Sequence, residues 1–141
     1  RRGQIGLIYQ FFNLIPTLNV EENITLPCEL DGQTVDKKRL DKLIDELGLN
    51  GRKTHLPEEL SGGQQQRVSI GRALINRPAI VLADEPTGNL DKKNSDEIVE
   101  LLRRANQEYR QTIIMITHNL EIAKTADRVI VIEDGKIIRE G

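Results

Sequence analysis

Apolar and polar positions alternate along this chain with two periods, and the switches between them mark out its elements. Gly6-Leu7-Ile8-Tyr9 is a short apolar run that ends at Gln10 and predicts a strand, whereas Phe11 to Pro16 predicts a loop because Pro16 disfavours helical geometry at Ile15. A short helix is expected from Asn19 or Val20, with Glu21 and Glu22 in its first turn against the helix dipole and Pro27 stopping or kinking it. Leu40, Leu43, Ile44 and Leu47 recur at helical spacing and predict a one-faced helix from about Val35 to Leu47, closed at Gly48. Residues 48 to 59 are polar and turn-rich. A helical pattern resumes from Gly63 to about Asn76, with Val68, Ala73 and Leu74 inward and Pro78 ending it.

The second half is more regular. Ile80-Val81-Leu82-Ala83 is a continuous apolar run, the pattern of a parallel strand covered on both faces. Ile98, Leu101, Leu102, Ala105 and Tyr109 define the inner face of a helix from about Asn94 to Tyr109. Thr112 to Thr117 reads as a strand, Leu120 to Thr125 as a short helix, and Arg128 to Ile132 as another strand that Asp134-Gly135 turns into a hairpin with Lys136 to Arg139. Buried strands alternating with amphipathic helices specify an α/β domain with a mostly parallel sheet. Such sheets bind ligands beyond the carboxyl ends of their strands. Gln10, Asp84, Glu85 and His118 each follow on a predicted strand.

Composition narrows the function classes. At 141 residues the chain is one domain in size, and 38% hydrophobic with 30% charged residues excludes a disordered chain. No apolar run approaches the roughly 20 residues of a membrane span, so a membrane role would come through a partner. A net charge of −2 with interspersed signs offers no basic stripe, and nucleic acid is not an expected partner. The single cysteine, Cys28, reads as a small buried residue and fits a reducing compartment. The opening Arg1-Arg2-Gly3, with Met115 as the one methionine, reads as part of a longer protein.

Two stretches carry the chemistry. Ser61-Gly62-Gly63, followed by Gln64-Gln65-Gln66-Arg67, puts a hydroxyl and free backbone N–H groups at a helix start, where an oxyanion is favoured and no Cβ blocks it. A plain N-cap serine is the alternative. Asp84-Glu85 ends the apolar strand: Asp84 suits a magnesium ligand, direct or through water, and Glu85 a general base toward water attacking a phosphoryl group. A solvated strand end is the alternative there. Extended-chain alternation aims the two carboxylates differently. His118 could donate to a terminal phosphate or be structural, Gln10 could bridge a metal and a water or be an exposed amide, and Asp91 could serve the site or cap the next helix. His55 receives no role.

Taken together, these residues resemble the ATP-binding subunit of ABC transporters. Leu60-Ser61-Gly62-Gly63-Gln64 is similar to that family's LSGGQ signature and Ile80 to Glu85 to its Walker B strand with the catalytic glutamate. Gln10 stands where the Q-loop glutamine is expected, Asp91 where the D-loop aspartate is, and His118 where the switch histidine is, all in the family's order. The run Ala83 to Asp91 further resembles the branch serving lipoprotein release, macrolide export and antimicrobial-peptide resistance.

The resemblance implies a P-loop NTPase-type core containing the carboxyl-terminal part of the parallel sheet, plus an α-helical signature subdomain. It divides the chain into a core strand and Q-loop start at 1–10, the Q-loop and helical subdomain at 11–77, and the Walker B, D-loop and switch-histidine part at 78–141. It implies ATP and Mg²⁺ as cofactors, with Asp84 holding the metal through water and Gln10 contacting it. Glu85 polarises the attacking water and His118 steadies the γ-phosphate. Ser61, Gly62, Gly63 and Gln64 face a nucleotide bound mainly by a second ATP-binding subunit in a head-to-tail dimer. A transmembrane permease is the further partner, which places the subunit in the cytoplasm against the inner membrane face.

The chain departs from this pattern in one major respect. The Walker A loop, G-x-x-x-x-G-K-[ST], occurs nowhere in it: Gly135-Lys136 is followed by Ile137 and lacks the first glycine. The resemblance places that strand between residues 112–117 and 128–132, so these two strands are expected not to pair with each other. The expected outcomes are local rearrangement, a strand borrowed from a neighbour, or completion by a longer protein, with little or no ATP hydrolysis by these residues alone. Asn119 and Gly71 depart from the commoner Asp and Ala. Two other readings are a nucleotide-dependent dimerisation scaffold without hydrolysis and a DNA-repair or chromosome-organising ATPase. The latter's coiled-coil or zinc insertions have no counterpart between Gln10 and Leu60.

Overall fold

The computed structural model describes residues 5–141, so the first four residues of the 1–10 segment lie outside the described part. A three-stranded parallel sheet holds β1 (Ile5–Ile8), β2 (Ile80–Asp84) and β3 (Thr112–Ile116) in the order β1-β2-β3. Four helices accompany it: α1 (Val20–Leu30), α2 (Lys37–Glu46), α3 (Gly62–Leu74) and α4 (Lys92–Tyr109). A short α5 (Leu120–Ala123) leads to β4 (Ile130–Glu133) and β5 (Lys136–Glu140), an antiparallel hairpin. This is the expected α/β architecture with a parallel sheet.

Each helix start has a local cause. Asn19, Asp36, Ser61, Asp91 and Asn119 cap α1 to α5 with side-chain oxygens that accept from backbone N–H groups one turn in, and Asn19 and Ser61 form reciprocal capping boxes with Glu22 and Gln64. The polar stretch after α2 contains two short 3₁₀ turns, Asn50–Arg52 and Pro57–Glu59, around the fully buried Leu49. Asp134 and Gly135 both have positive φ, the requirement of a tight hairpin turn.

One core runs through the helices and reaches the sheet from one side. Ile24, Cys28, Leu43, Ile44, Leu47, Val68, Ile70 and Leu74 pack together with Ile8, Val81, Ala83, Ile98 and Leu102. Val68, Ala73 and Leu74 point inward as expected, as do Ile98, Leu102 and Ala105, whereas Leu101 and Tyr109 are partly buried. Cys28 is buried, as expected, with Sγ donating to Asn76 Oδ1 at 2.9 Å.

Three expectations need correction. Pro27 does not stop α1 but sits inside it, because Ile24 and Cys28 pack on both sides of it along the face shared with the core. Tertiary burial overrides the missing N–H. Second, among the described residues β2 is covered on one face only: Val81 and Ala83 are buried, while Ile80 is 38% exposed and Asp84 is exposed. Ile5, Leu7, Ile114 and Ile116 share that open face, since α3 and α4 pack on the opposite one. Third, Gln10 and His118 each stand one residue beyond their strand's first flanking residue, and Asp84 is the last residue of β2 itself. The expected separation of 112–117 from 128–132 is present, with β3 and β4 in different sheets.

Candidate functional site

The carboxyl end of the parallel sheet gathers four of the predicted residues. Asp84 and Glu85 leave β2 with opposite environments, Asp84 exposed and the Glu85 side chain 20% exposed. Glu85 adopts a left-handed backbone, φ 49°, which costs a non-glycine residue roughly 1–2 kcal/mol. Its N–H donates to Ile116 O at 2.8 Å and its carbonyl accepts from Gly88 N at 3.0 Å, so the turn is held from both sides.

His118 Nε2 lies 3.2 Å from Glu85 Oε1. The contact has ion-pair distance but not hydrogen-bond geometry, and Oε1 is buried without a hydrogen-bond partner among the described residues. The imidazole itself is 96% exposed. A buried carboxylate oxygen with an unused lone pair beside an exposed imidazole suits acceptance of a proton or hydrogen bond from a bound water.

Gln10 reaches the same end from the β1 side. Its amide donates to Asn89 Oδ1 at 3.4 Å and its carbonyl accepts from Asn89 Nδ2 at 3.2 Å. A Cβ on Gly88 would stand 2.8 Å from the Gln10 amide, so a side chain there would displace the Gln10 side chain from this loop. Gln10 is therefore bound to the loop that follows Glu85.

The glycine-rich residues form a second group. Ser61 Oγ accepts from Gln64 N at 3.2 Å, and Gln64 Oε1 accepts from Ser61 N at 2.9 Å. The cap alternative for Ser61 thus holds, and its hydroxyl proton remains available. Gly62 is exposed, whereas Gly63 is buried against Asn94, whose Oδ1 would lie 2.3 Å from an added Cβ. Asp91 likewise is an N-cap: its Oδ1 accepts from the backbone and side-chain N–H groups of Asn94 at 2.8 and 2.9 Å, which pull its pKa below the usual aspartate value. Asn94 therefore joins Asp91 to Gly63.

The residues present fit a magnesium nucleotide only in part. An exposed carboxylate at a strand end and an orphaned buried carboxylate oxygen suit a hydrated divalent cation and its water. The open N-terminus of α3 suits an anion. The phosphate-cradling loop with its lysine is absent from the sequence. Among the described residues no cluster of three or more His, Cys, Asp or Glu side chains could hold a metal by itself.

Sequence reasoning missed Gln66 and Arg72. Gln66 is fully buried and donates to Tyr9 O and Pro86 O. Arg72 donates to Asn13 O at 2.8 Å and Phe12 O at 3.1 Å, and burial draws its pKa below the ordinary arginine value. Helical periodicity held a signal, because Gln66, Ile70 and Ala73 share the inward face of α3.

The family model described as ABC transporter matches residues 1–88. The chain belongs to the ABC transporter family. It is 48% identical over 143 residues to the methionine import ATP-binding protein MetN 2 of Enterococcus faecalis, covering 99% of this chain and 41% of that protein. It is 46% identical over 142 residues to the macrolide export ATP-binding/permease protein MacB of Bartonella henselae, covering 99% of this chain and 21% of that one. Among solved structures, the dimeric post-hydrolysis state of the ATP-binding cassette MJ0796 bound to ADP and Pi superposes with a TM-score of 0.84 at 40% identity, covering 100% of this chain and 63% of that chain. The chain spans 56% to 62% of the length of the first curated relatives it matches. Its fold is that of the family's ATPase cassettes. No helix among the described residues is long and apolar enough to cross a membrane.

Proposed function

We propose that the chain is the signature-helix and Walker B portion of an ATP-hydrolysing transporter subunit, which couples MgATP turnover to export or extraction of a substrate at the membrane. The observation that carries this reading is the orphaned Glu85 Oε1 beside His118 at the carboxyl end of a parallel sheet. In this reading Glu85 accepts the proton of the attacking water, Asp84 and Gln10 would hold Mg²⁺, and Gln10 would also sense the permease. His118 donates to the terminal phosphate. Mg²⁺ would neutralise phosphate charge when bound.

Ser61, Gly62, Gly63 and Gln64, with Asp91 behind them through Asn94, would face the nucleotide of a second subunit in a head-to-tail dimer. The segments 1–10, 11–77 and 78–141 then act as core start, coupling subdomain and catalytic half. A transmembrane permease on the inner membrane face is the partner. The lipoprotein-release, macrolide-export and peptide-resistance branch is proposed from residues 83–91.

The test joins these residues to a segment bearing the phosphate loop and measures phosphate release from MgATP. Glu85→Gln should retain nucleotide binding and lose about 10²-fold or more of the turnover, the scale of general-base catalysis. Retained turnover rejects Glu85 as the base, and no turnover in the unsubstituted protein favours a nucleotide-dependent scaffold. The 141 residues alone should bind MgATP weakly, which calorimetry checks.

A further inference from the structure

We infer that Gln66 is a positioning residue that ties both Glu85 and Gln10 to the signature helix α3, an assignment that rests on the ATPase reading above. The β1–β2 ladder ends at the pair Ile8 and Ala83. Beyond it the two chains diverge, Tyr9 toward Gln10 and Asp84-Glu85 toward Pro86, so their carbonyls have lost the neighbour strand as a partner. The Gln66 amide replaces it. Its Nε2 donates to Tyr9 O at 3.1 Å, immediately before Gln10, and to Pro86 O, immediately after Glu85.

Two further observations assign these bonds a role beyond filling space. Gln66 is 0% exposed, and its Oε1 is buried with no hydrogen-bond partner among the described residues. An orphaned amide oxygen costs about 1–3 kcal/mol, which a methionine of similar volume would avoid, so the two donated bonds are what the amide contributes. Moreover, Glu85 is held in the left-handed region, a conformation that persists only where its surroundings impose it. Ile116 restrains it from the β3 side, and Gln66 restrains the next residue from the α3 side. Because Ser61 to Gln64 form the start of the same helix, displacement of that helix start is delivered to Glu85 and Gln10 together. Arg72 supplies the internal comparison: it binds Phe12 O and Asn13 O and has no bond to the Glu85 turn.

Amide hydrogen exchange on the 141-residue chain tests the tie without nucleotide. Gln66→Met should raise exchange about tenfold in both segments 9–13 and 85–90, while Arg72→Met should raise it in 9–13 alone. Exchange unchanged in both segments, or raised evenly along the chain, overturns the inference. Should Gln66→Met not fold, Gln66→Glu serves: its carboxylate faces two carbonyl oxygens and can donate only when protonated. The single O–H of the protonated acid satisfies one of the two carbonyls, so protection of at least one of the two segments, corrected for intrinsic exchange, should return as pH falls, and pH-independent protection overturns the inference. In the protein joined to the phosphate loop, Gln66→Met should lower kcat about tenfold or more with KM for MgATP within about twofold, the pattern of lost transition-state positioning. Raised exchange with unchanged kcat overturns the positioning role. Absence of turnover in the unsubstituted protein rejects the ATPase reading, while the exchange result reports separately on the tie.

Discussion

His118 Nε2 stands 3.2 Å from Glu85 Oε1, joining the residues beyond β3 to the end of β2. The neighbouring strands set this distance, since Asp84 pairs with Ile116 and the Glu85 N–H extends that ladder to Ile116 O. The contact is exposed on the imidazole side, so it organises the carboxylate more than it stabilises the fold. His118→Ala should leave the melting temperature nearly unchanged and lower kcat about 10²-fold, the scale of one lost transition-state donor. Steady-state phosphate release by the protein joined to the phosphate loop checks it; unchanged kcat removes His118 from the chemistry.

Gly6 fixes how closely β1 lies to α3. A Cβ there would meet Ala73 O at 2.7 Å and Pro78 Cγ at 3.0 Å, and the carbonyl cannot rotate aside because it belongs to the helix backbone. Gly6→Ala should therefore destabilise by about 1–3 kcal/mol, the cost of overpacking. Urea denaturation provides the measurement, and a stabilised variant would show that β1 can slide.

Asn23 organises the loop between Gln10 and α1. Fully buried, it accepts from Ile15 N at 2.8 Å and donates to the carbonyls of Ile15, Leu18 and Asn19. Asn23→Ala strands these groups and should cost about 2–3 kcal/mol. Asn23→Asp should recover little of that loss, since a carboxylate can accept from Ile15 but cannot donate to three carbonyls. Equal stability of Asn23→Asp and the unsubstituted chain contradicts this account.

Tyr109 at the end of α4 donates its hydroxyl toward the Glu46 carboxylate, 2.8 Å from each oxygen, and so joins α4 to α2. Burial first, and then this hydrogen bond, raise its pKa above the ordinary tyrosine value. A raised folded-state pKa means the contribution is complete below the unfolded pKa of about 10 and is lost as pH rises beyond it. Tyr109→Phe should cost about 1–2 kcal/mol at neutral pH, a charged hydrogen bond discounted for partial exposure. The difference from the unsubstituted chain should shrink above about pH 10. A difference that grows with alkaline pH reverses the assignment.

Element types and their chain order were determined by local chemistry. Leu40, Leu43, Ile44 and Leu47 needed only their spacing to specify α2, and Asp134-Gly135 only its backbone freedom to specify the hairpin turn. Ser61-Gly62-Gly63 and Asp84-Glu85 were legible because a helix start and a strand end place their groups whatever surrounds them. What local pattern could not decide was which surfaces meet. Ile80 to Ala83 has the composition of a strand covered twice, yet α3 and α4 lie on one side of it. Pro27 carries a local stop signal, yet burial of Ile24 and Cys28 carries α1 through it. The left-handed turn at Glu85, its contact with His118 and the two bonds from Gln66 join residues far apart in sequence. Such distances exist only after the sheet register and the seat of α3 are fixed, because burial and hydrogen-bond satisfaction are properties of the packed chain and not of any one segment.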